Sequence, residues 1–248
     1  MFHDHVKLTS ACASEANPMR DYNQDRVLNL KDHRFFAVAD GMGGHFGGEI
    51  ASSHAIASIS ESIKKLYENN QRYDLQSLTE HILKATHLAN ATIFDIAQTK
   101  NLDGMGSTLC SLLFDGRFAI HAHIGDSRLY RLREGELALL TSDHSVMRER
   151  LTKKQADASA HKHVLTRALG CEPTANITIA AQAAFPKDRY LLCTDGIHDV
   201  LSADEIKNLI AIPSLQEACD QLIVAARQKG SLDDISTALI QVEFPDPI

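Results

Sequence analysis

The residues most able to do chemistry in this 248-residue chain are aspartates at the ends of apolar segments. Asp40 ends "RFFAVAD" and Asp195 ends "RYLLCTD", and a glycine follows each of them. Asp126 ends a third such segment, while Asp233 and Asp234 come directly before a fourth. Carboxylates at several strand ends can converge at one edge of a sheet sandwich, where they repel one another unless a cation binds among them. Because oxygen ligands without a histidine or cysteine set favour hard cations, the pattern indicates Mg²⁺ or Mn²⁺ rather than zinc.

Two other interpretations of these residues were weighed. Asp-Gly is a strong tight-turn signal, so each pair taken singly is explained by an ordinary turn, and the repetition weakens that explanation without removing it. The glycine-rich loop "DGMGGHFGGE" also resembles a nucleotide-binding loop at first sight. It has Phe46 where a dinucleotide-binding turn needs its third glycine, and Glu49 where a phosphate-binding P-loop needs lysine. Both nucleotide interpretations therefore fail at named positions.

The elements that must hold these aspartates are predicted from hydrophobic periodicity. Apolar residues at three- and four-residue steps predict helices around 56–66 and 75–96, and Ser-x-x-Glu capping patterns open two later helices at 202–210 and 214–230. Short apolar or alternating segments predict strands at 34–40, 107–115, 117–126, 127–133, 136–141, 177–185, 189–195 and 235–244.

The order of these elements points to a fold class. "FDGR" and "REGE" are typical hairpin turns, which indicates antiparallel pairing. Strands, two long helices, many strands, two helices and a final strand do not alternate as a parallel doubly wound sheet requires. We therefore predict an α+β protein with two antiparallel sheets and helices packed outside them.

Composition limits the classes of partner and compartment. The net charge is −7 with scattered basic residues, which argues against a nucleic-acid partner. We found no signal-peptide pattern and no apolar segment long enough to span a bilayer, so a cytoplasmic protein without a membrane partner is expected. Five widely spaced cysteines suggest reduced, mostly buried thiols. Without a linker or an internal repeat, residues 1–248 are predicted to form one domain.

Seven motifs together resemble one known family. In order, they are "RDYNQD", "VADGMGG", "GST", "GDSRLYRLREGELALLTSDHS", "HVLTRALG", "LLCTDG" and "DDIS". Each is weak alone, but their order and spacing are similar to those of the bacterial metal-dependent protein phosphatases of the protein phosphatase 2C family. The resemblance runs from Arg20 to Val242 and implies a four-layer α-β-β-α sandwich in which helix pairs flank the two sheets.

The resemblance also implies a metal-binding role for individual residues. Asp40 matches an aspartate that bridges two metal ions, and the carbonyl of Gly41 matches a ligand of the second ion. Asp195 and Asp233 match the carboxylates that bind the first ion. Asp126 matches the residue that, with Asp195, binds a weaker third ion. The implied cofactor is accordingly Mn²⁺ or Mg²⁺, with two ions in the core site and a possible third.

Two further matches complete the implied site. Asp25 matches an acid near the second metal, and Arg20 matches the arginine that clamps the substrate phosphate. The implied activity is hydrolysis of phosphoserine and phosphothreonine on proteins by metal-activated water, without a covalent intermediate. The implied partners are phosphorylated proteins, substrates of a Ser/Thr kinase, and the implied state is a monomer. A phosphatase-fold binding protein without activity and a hydrolase of small phosphoesters are the two competing functions.

The chain departs from the family pattern at a few positions. Gln24 stands where some relatives carry glutamate, and Asp234 stands where asparagine is usual, which could tighten or misorient Asp233. Met42 occupies the position of the histidine that is assigned as the general acid in eukaryotic relatives. His45 is a weaker candidate for that proton donor, so the general acid stays open.

Other polar residues have ordinary explanations. His121 and His123 lie on one face of a predicted strand and are expected to be a packed or hydrogen-bonded pair. His144 is expected to order a loop, and Arg128 to support one through an ion pair. The segment at about 144–165 corresponds to the mobile flap of the family and is short.

Overall fold

A computed structural model describes residues 7–44, 46–68, 73–145 and 164–243 of the chain. The helices are α1 Gly47–Glu68, α2 Leu75–Lys100, α3 Asp195–His198, α4 Ala203–Ile210 and α5 Leu215–Gln228, together with a 3₁₀ segment at Lys31–His33. The strands are β1 Lys7–Glu15, β2 Asp25–Leu30, β3 Phe35–Met42, β4 Gly106–Ser107, β5 Leu109–Asp115, β6 Phe118–Ile124, β7 Arg128–Arg133, β8 Glu136–Leu139, β9 Thr178–Ala183, β10 Arg189–Cys193 and β11 Ile235–Glu243.

The strands form two sheets in which all the described pairings are antiparallel. One sheet has five strands in the order β1-β11-β10-β7-β8. The other has six, with β2-β3-β5-β6-β9 in order and the short β4 paired to β3. The predicted α+β class with two antiparallel sheets is therefore confirmed.

Alternation along β3 shows how the layers pack. Phe36 and Val38 point into the core between the two sheets, which they share with residues of β10 and β11. Phe35 and Ala37 point to the opposite face, where they pack against α1 and α2. Because successive side chains of a strand face opposite ways, a strand buried on both faces reads as a continuous apolar run.

Helices cover the outer face of each sheet. The long pair α1 and α2 lies over the six-stranded sheet, while α4 and α5, with the short α3, lie over the five-stranded one. Ser202 begins α4 with the capping box predicted from the sequence, since its hydroxyl accepts from the Glu205 N–H and Glu205 accepts from the Ser202 N–H. The four-layer arrangement is the one that the sequence motifs implied.

The tight turns also agree with prediction. Glu134 and Gly135 join β7 to β8 with positive φ angles of 49° and 80°, the conformation that a two-residue type I′ hairpin requires. Gly116, at φ 52°, occupies the corresponding turn between β5 and β6.

Sequence periodicity did not reveal β1 and β2. Both are edge strands, β1 of the five-stranded sheet and β2 of the six-stranded sheet. Their sequences, "KLTSACASE" and "DRVLNL", carry many polar residues because one flank and much of one face meet solvent. Neither gives the apolar signal of the central strands.

The described cysteines are free thiols, as predicted. Cys110, Cys193 and Cys219 are buried, whereas Cys171 is exposed and departs from the expected pattern. No helix in the described ranges has both the length and the apolar character needed to cross a bilayer.

Candidate active site

The two sheets bring five of the predicted acidic residues to the same end of the sandwich. The register of β2 and β3 places Asp25 directly opposite Asp40. Asp195 begins α3 just after β10, and Asp233 lies two residues before β11. Asp126 lies in the short link between β6 and β7, which belong to different sheets. Antiparallel pairing thus converts acids that are far apart in the sequence into spatial neighbours.

These acids surround an open cavity of about 480 Å³. Asp40, Asp126, Asp195 and Asp233 line it, and Arg20 lies on its wall. Among the described residues of its lining, the cavity has one cation and four potential anions, which suits a site that binds further cations or a phosphate held by them.

Asp40 lies beside the other acids of the cluster. Burial raises the pKa of its carboxyl well above the usual range, and the neighbouring acids raise the pKa further. In decreasing order of effect, these neighbours are Asp25, Asp195, Asp233 and Asp126. All the acids predicted to share the metal site therefore act electrostatically on the one predicted to bridge the ions.

The pKa values of two neighbouring carboxyls are also raised. Burial, followed by the charges of Asp126 and Asp233, raises the pKa of Asp195 to about 7. Burial and Asp143 raise the pKa of Asp126 to about 6. Without cations, the ionised cluster is unfavourable, and divalent ions are the partners that would relieve it.

The donor atoms also fit hard cations. Asp25 Oδ1 and Asp195 Oδ1 are buried and are without a hydrogen-bond partner among the described residues. Over the same part of the chain, no three His, Cys, Asp or Glu side chains lie so placed that they could hold an ion by themselves. An open cluster of this kind has to be completed by backbone oxygens and water, which is how Mg²⁺ is commonly held. The residues present are therefore compatible with the implied ions.

Asp25 does not line the cavity, and its side chain is almost fully buried next to Asp40 on the neighbouring strand. The Thr194 hydroxyl donates to Asp25 Oδ2 at 2.7 Å and accepts from the Ser236 N–H at 2.9 Å. Thr194 thereby links the acid to β10 and β11. Thr194 was not predicted from the sequence, although its place directly before Asp195 in "CTDG" was a usable signal.

The "GST" motif holds the backbone of Asp40. The Asp40 N–H donates to Thr108 Oγ1 at 2.9 Å, and the Thr108 N–H donates to the Asp40 carbonyl at 2.8 Å. The Ser107 hydroxyl donates to the same carbonyl at 3.1 Å. These bonds fix the chain direction at the point where Asp40 enters the cavity.

Gly41 has a packing reason that the sequence did not reveal. A Cβ at this position would come within 1.9 Å of the Gly48 carbonyl oxygen, because the first turn of α1 lies directly on β3. Gly41 permits close contact between strand and helix, while Gly44 has open space around its Cβ position.

Arg20 is anchored by a network that includes Gln24 and Asp234, two of the departures from the family pattern. Its Nη1 donates to Gln24 Oε1 at 2.9 Å and to Asp234 Oδ2 at 3.1 Å, and lies 3.6 Å from Asp233 Oδ1. Asp234 is buried and also accepts from the backbone N–H groups of Asn17 and Gln24, at 2.7 and 2.8 Å. Its carboxylate therefore faces the Arg20 loop and does not line the cavity.

Of the two loop positions considered for the general acid, 42 and 45, the structure describes the first. Met42 lines the cavity, as its place after Gly41 suggested. His45 and most of the flap at about 144–165 lie outside the described residues. The described ends of the flap meet in a bridge between Ser145 and Leu165.

The remaining polar residues have the predicted structural roles. His121 and His123 are buried and stacked with ring centroids 6.5 Å apart, and His144 stacks on His123 at 4.7 Å. His144 Nδ1 accepts from the Gly125 N–H, so it orders the loop that carries Asp126. Arg128 forms a two-pronged ion pair with Asp143, at 3.0 and 2.7 Å.

Matches to known proteins cover most of the chain. The family model for protein phosphatase 2C matches residues 14–239. The serine/threonine protein phosphatase PstP of Mycobacterium tuberculosis (strain CDC 1551 / Oshkosh) is 34% identical over 241 residues, which cover 95% of this chain and 45% of the relative. Protein phosphatase PhpP of Streptococcus pneumoniae serotype 2 is 30% identical over 243 residues, 94% of this chain and 97% of the relative. The chain spans about half the length of the mycobacterial protein.

A solved structure extends the likeness to the fold. The crystal structure of the PstP catalytic domain in complex with two manganese ions has a TM-score of 0.85 and 32% identity, covering 96% of this chain and 100% of that one. Motif order, four-layer fold and acidic cavity agree with these matches, and the chain belongs to the protein phosphatase 2C family.

Proposed function

We propose that this protein is a metal-dependent serine/threonine protein phosphatase. The observation that carries the proposal is Asp40, which shares an open cavity with Asp126, Asp195, Asp233 and Arg20. Family membership and the names of the relatives, which are serine/threonine protein phosphatases, support it. The manganese ions of the PstP catalytic domain make Mn²⁺ or Mg²⁺ the proposed cofactor.

We assign the ligands by position. Asp40, Asp195 and Asp233 would hold the first ion, and Asp40 with the carbonyl of Gly41 would hold the second. Asp126 and Asp195 would hold a third, weaker ion. Asp25, which is buried opposite Asp40 on the neighbouring strand, would contact the second ion through water. When bound, the ions supply hydroxide at neutral pH by lowering the pKa of water.

The protein's own contribution is then binding and orientation. Arg20 can present a planar set of N–H donors to two oxygens of the substrate phosphate, since its bonds to Gln24 and Asp234 use Nη1 alone. Thr108 fixes Asp40, and Thr194 fixes Asp25, so that both carboxylates are oriented before substrate binds. No side-chain nucleophile is required.

The substrates in this proposal are phosphoserine and phosphothreonine residues of proteins, generated by a Ser/Thr kinase. We further propose that the chain acts as a single monomeric phosphatase domain in the cytoplasm. The pairing of β1 with β11 supports one domain, because strands from opposite ends of the described chain share one sheet.

The direct test is phosphate release from a phosphothreonine peptide. We expect Mn²⁺ to activate the protein, a chelator to abolish release, and Asp195→Ala to lose at least a hundredfold in kcat. Thermal denaturation provides a readout independent of activity, since an ion that binds only the folded state raises Tm. Mn²⁺ should raise Tm of the wild type and raise that of Asp195→Ala much less.

Two results would favour the competing functions. An Mn²⁺-dependent rise in Tm without release from any phosphopeptide would indicate a binding protein. Release from small phosphoesters but not from phosphopeptides would indicate a small-molecule hydrolase. Full activity of Asp195→Ala would contradict the assigned metal site.

A further inference from the structure

The wall of the cavity next to Arg20 continues outward as a pair of stacked rings. Tyr22 lines the cavity, and its ring stacks on that of Phe46, with centroids 5.2 Å apart and planes at 26°. Phe46 precedes α1 and does not line the cavity. We call Tyr22 and Phe46 the aromatic shelf. It begins inside the site and extends to the surface.

The outer ring of the shelf is poorly covered by the protein. Phe46 is 61% exposed, more than any other phenylalanine among the described residues. Phe185 is 50% exposed, but an Arg133 guanidinium lies 4.4 Å above its ring. Met19, next to Arg20 in the chain, is 83% exposed. Large apolar and aromatic side chains gathered at one edge of a site are typical of surfaces that bind another chain.

Under the proposed function, the chain that binds this surface is the phosphorylated substrate. A phosphoresidue held by Arg20 must leave the cavity with its neighbours passing over the rim, and an extended chain advances about 3.3 Å per residue. Tyr22 lines the same cavity as Arg20, and the ring of Phe46 lies 5.2 Å from that of Tyr22. The shelf therefore lies beside the path that the first or second residue next to the phosphoresidue would follow. Asp21, which is exposed between Arg20 and Tyr22, adds a negative charge there.

We propose that the aromatic shelf is a specificity subsite that binds a bulky apolar residue one or two positions from the phosphoserine or phosphothreonine. An apolar neighbour would cover the exposed face of Phe46 and lose its own contact with water. An acidic neighbour would leave Phe46 exposed and would face Asp21. This inference rests on the proposed phosphatase activity and adds the chemistry of the preferred substrate.

The test compares phosphothreonine peptides that differ in one residue. Leucine, phenylalanine, alanine or glutamate is placed at each of the two positions on either side of the phosphothreonine, and kcat/KM is measured with the Mn²⁺-loaded full chain. We expect the wild type to prefer leucine or phenylalanine over glutamate at one of these positions by roughly tenfold, an effect that partial burial of a large apolar side chain can supply.

Substitutions then test whether Phe46 causes the preference for apolar peptides. Phe46→Ala should reduce the ratio between apolar and acidic peptides to about twofold or less, whereas Phe46→Tyr should retain most of it. Phe118→Ala is the matched control, because Phe118 is 44% exposed at the start of β6 and does not line the cavity. The ratio is measured within each variant, so a general change in activity does not affect it.

The outcomes separate the shelf from the proposed activity. Equal kcat/KM for all peptides, or an unchanged ratio in Phe46→Ala, would overturn the shelf while leaving the phosphatase intact. A dimer in size-exclusion chromatography that Phe46→Ala dissociates, with no change in the ratio, would mean that the shelf binds a second copy and would also overturn the proposal. No release from any peptide would contradict the proposed function itself.

Discussion

Asp234 shows how one side chain can organise a site without lining it. Its two carboxylate oxygens accept from the backbone N–H groups of Asn17 and Gln24 and from Arg20. An asparagine, usual here in the family that the motifs resemble, has one oxygen and one NH₂ group, and the NH₂ cannot accept from an N–H. The aspartate thus ties the Arg20 loop to β11 more completely than asparagine could.

The first prediction follows from this network. Asp234→Asn should lower the free energy of unfolding by about 1–3 kcal/mol, because a buried N–H or the guanidinium loses its acceptor. It should also raise KM for a phosphopeptide, since Arg20 is held less firmly. Urea denaturation and steady-state kinetics measure the two effects. Asp32→Asn, at an exposed residue of the 3₁₀ segment, is the control, and equal behaviour of the two variants would contradict the assignment.

Arg20 itself gives the second prediction. Arg20→Ala should raise KM for a phosphopeptide at least tenfold, because a charge-assisted pair of hydrogen bonds to phosphate is lost. Arg20→Lys should recover part of the loss, since the charge remains without the planar fork. Lys229→Ala, which breaks an exposed pair with Glu205 outside the cavity, should not change KM. Unchanged kinetics in Arg20→Ala would remove this residue from the site.

The positions of the cavity carboxylates were easier to predict from the sequence than the residues that anchor the loops around them. Asp40, Asp195 and Asp233 were identifiable because each adjoins an apolar strand, and strand ends meet at the edges of sheets. The anchoring role of Asp234 was not predictable. It depends on where the loop around Arg20 comes to lie, and no local pattern encodes that long-range contact.

At the scale of elements, the approach of α1 to β3 sets the geometry of the site. Gly41 and Gly48 allow the strand and the helix to touch through their backbones. The same contact places Asp40 and the loop after it at the floor of the cavity.

The third prediction tests that contact. Gly41→Ala should destabilise the fold by more than about 2 kcal/mol, because its Cβ would meet the Gly48 carbonyl oxygen at 1.9 Å and force the helix away. Gly44→Ala is the matched control from the same loop, since no atom lies within 4 Å of its Cβ position. Urea denaturation of both variants is the measurement, and equal stability would contradict the close packing.

Helices and turns could be predicted where neighbouring residues in the sequence carry the pattern. Helices α1 and α2 follow a regular apolar spacing. The turn at Gly135 was predictable because "REGE" places a glycine where the hairpin needs a positive φ angle, which is 80° here. Strands β1 and β2 were not predicted, because edge strands are stabilised by pairing to distant partners rather than by an apolar pattern of their own.

At the scale of the whole molecule, buried histidines connect stability to pH. His121 lies in the core between the sheets, where burial and the neighbouring His123 lower the pKa of His121 to about 4. The unfolded chain has an ordinary histidine pKa near 6.5. As pH falls from about 6.5 to about 4, the unfolded state binds this proton first, and the folded state loses stability.

The fourth prediction is the size of that loss. His121 should account for roughly 2–3 kcal/mol of destabilisation between pH 6.5 and pH 4. His121→Leu should therefore show a flatter dependence of the unfolding free energy on pH, even if its stability at pH 7 differs. His87→Leu, at an exposed position on α2, should keep the wild-type slope. Parallel curves for the wild type and His121→Leu would contradict neutral burial of His121.

The pairing of β1 with β11 has a consequence for the order of events during synthesis. Lys7–Glu15 is synthesised well before its partner Ile235–Glu243, which emerges more than 200 residues later. Asp233 and Asp234 lie directly before that partner strand, so the acidic cavity and the anchor of Arg20 can form only after residue 234 has been added. A nascent chain that stalls before residue 233 should therefore lack the proposed activity, although every strand of the six-stranded sheet has already been synthesised.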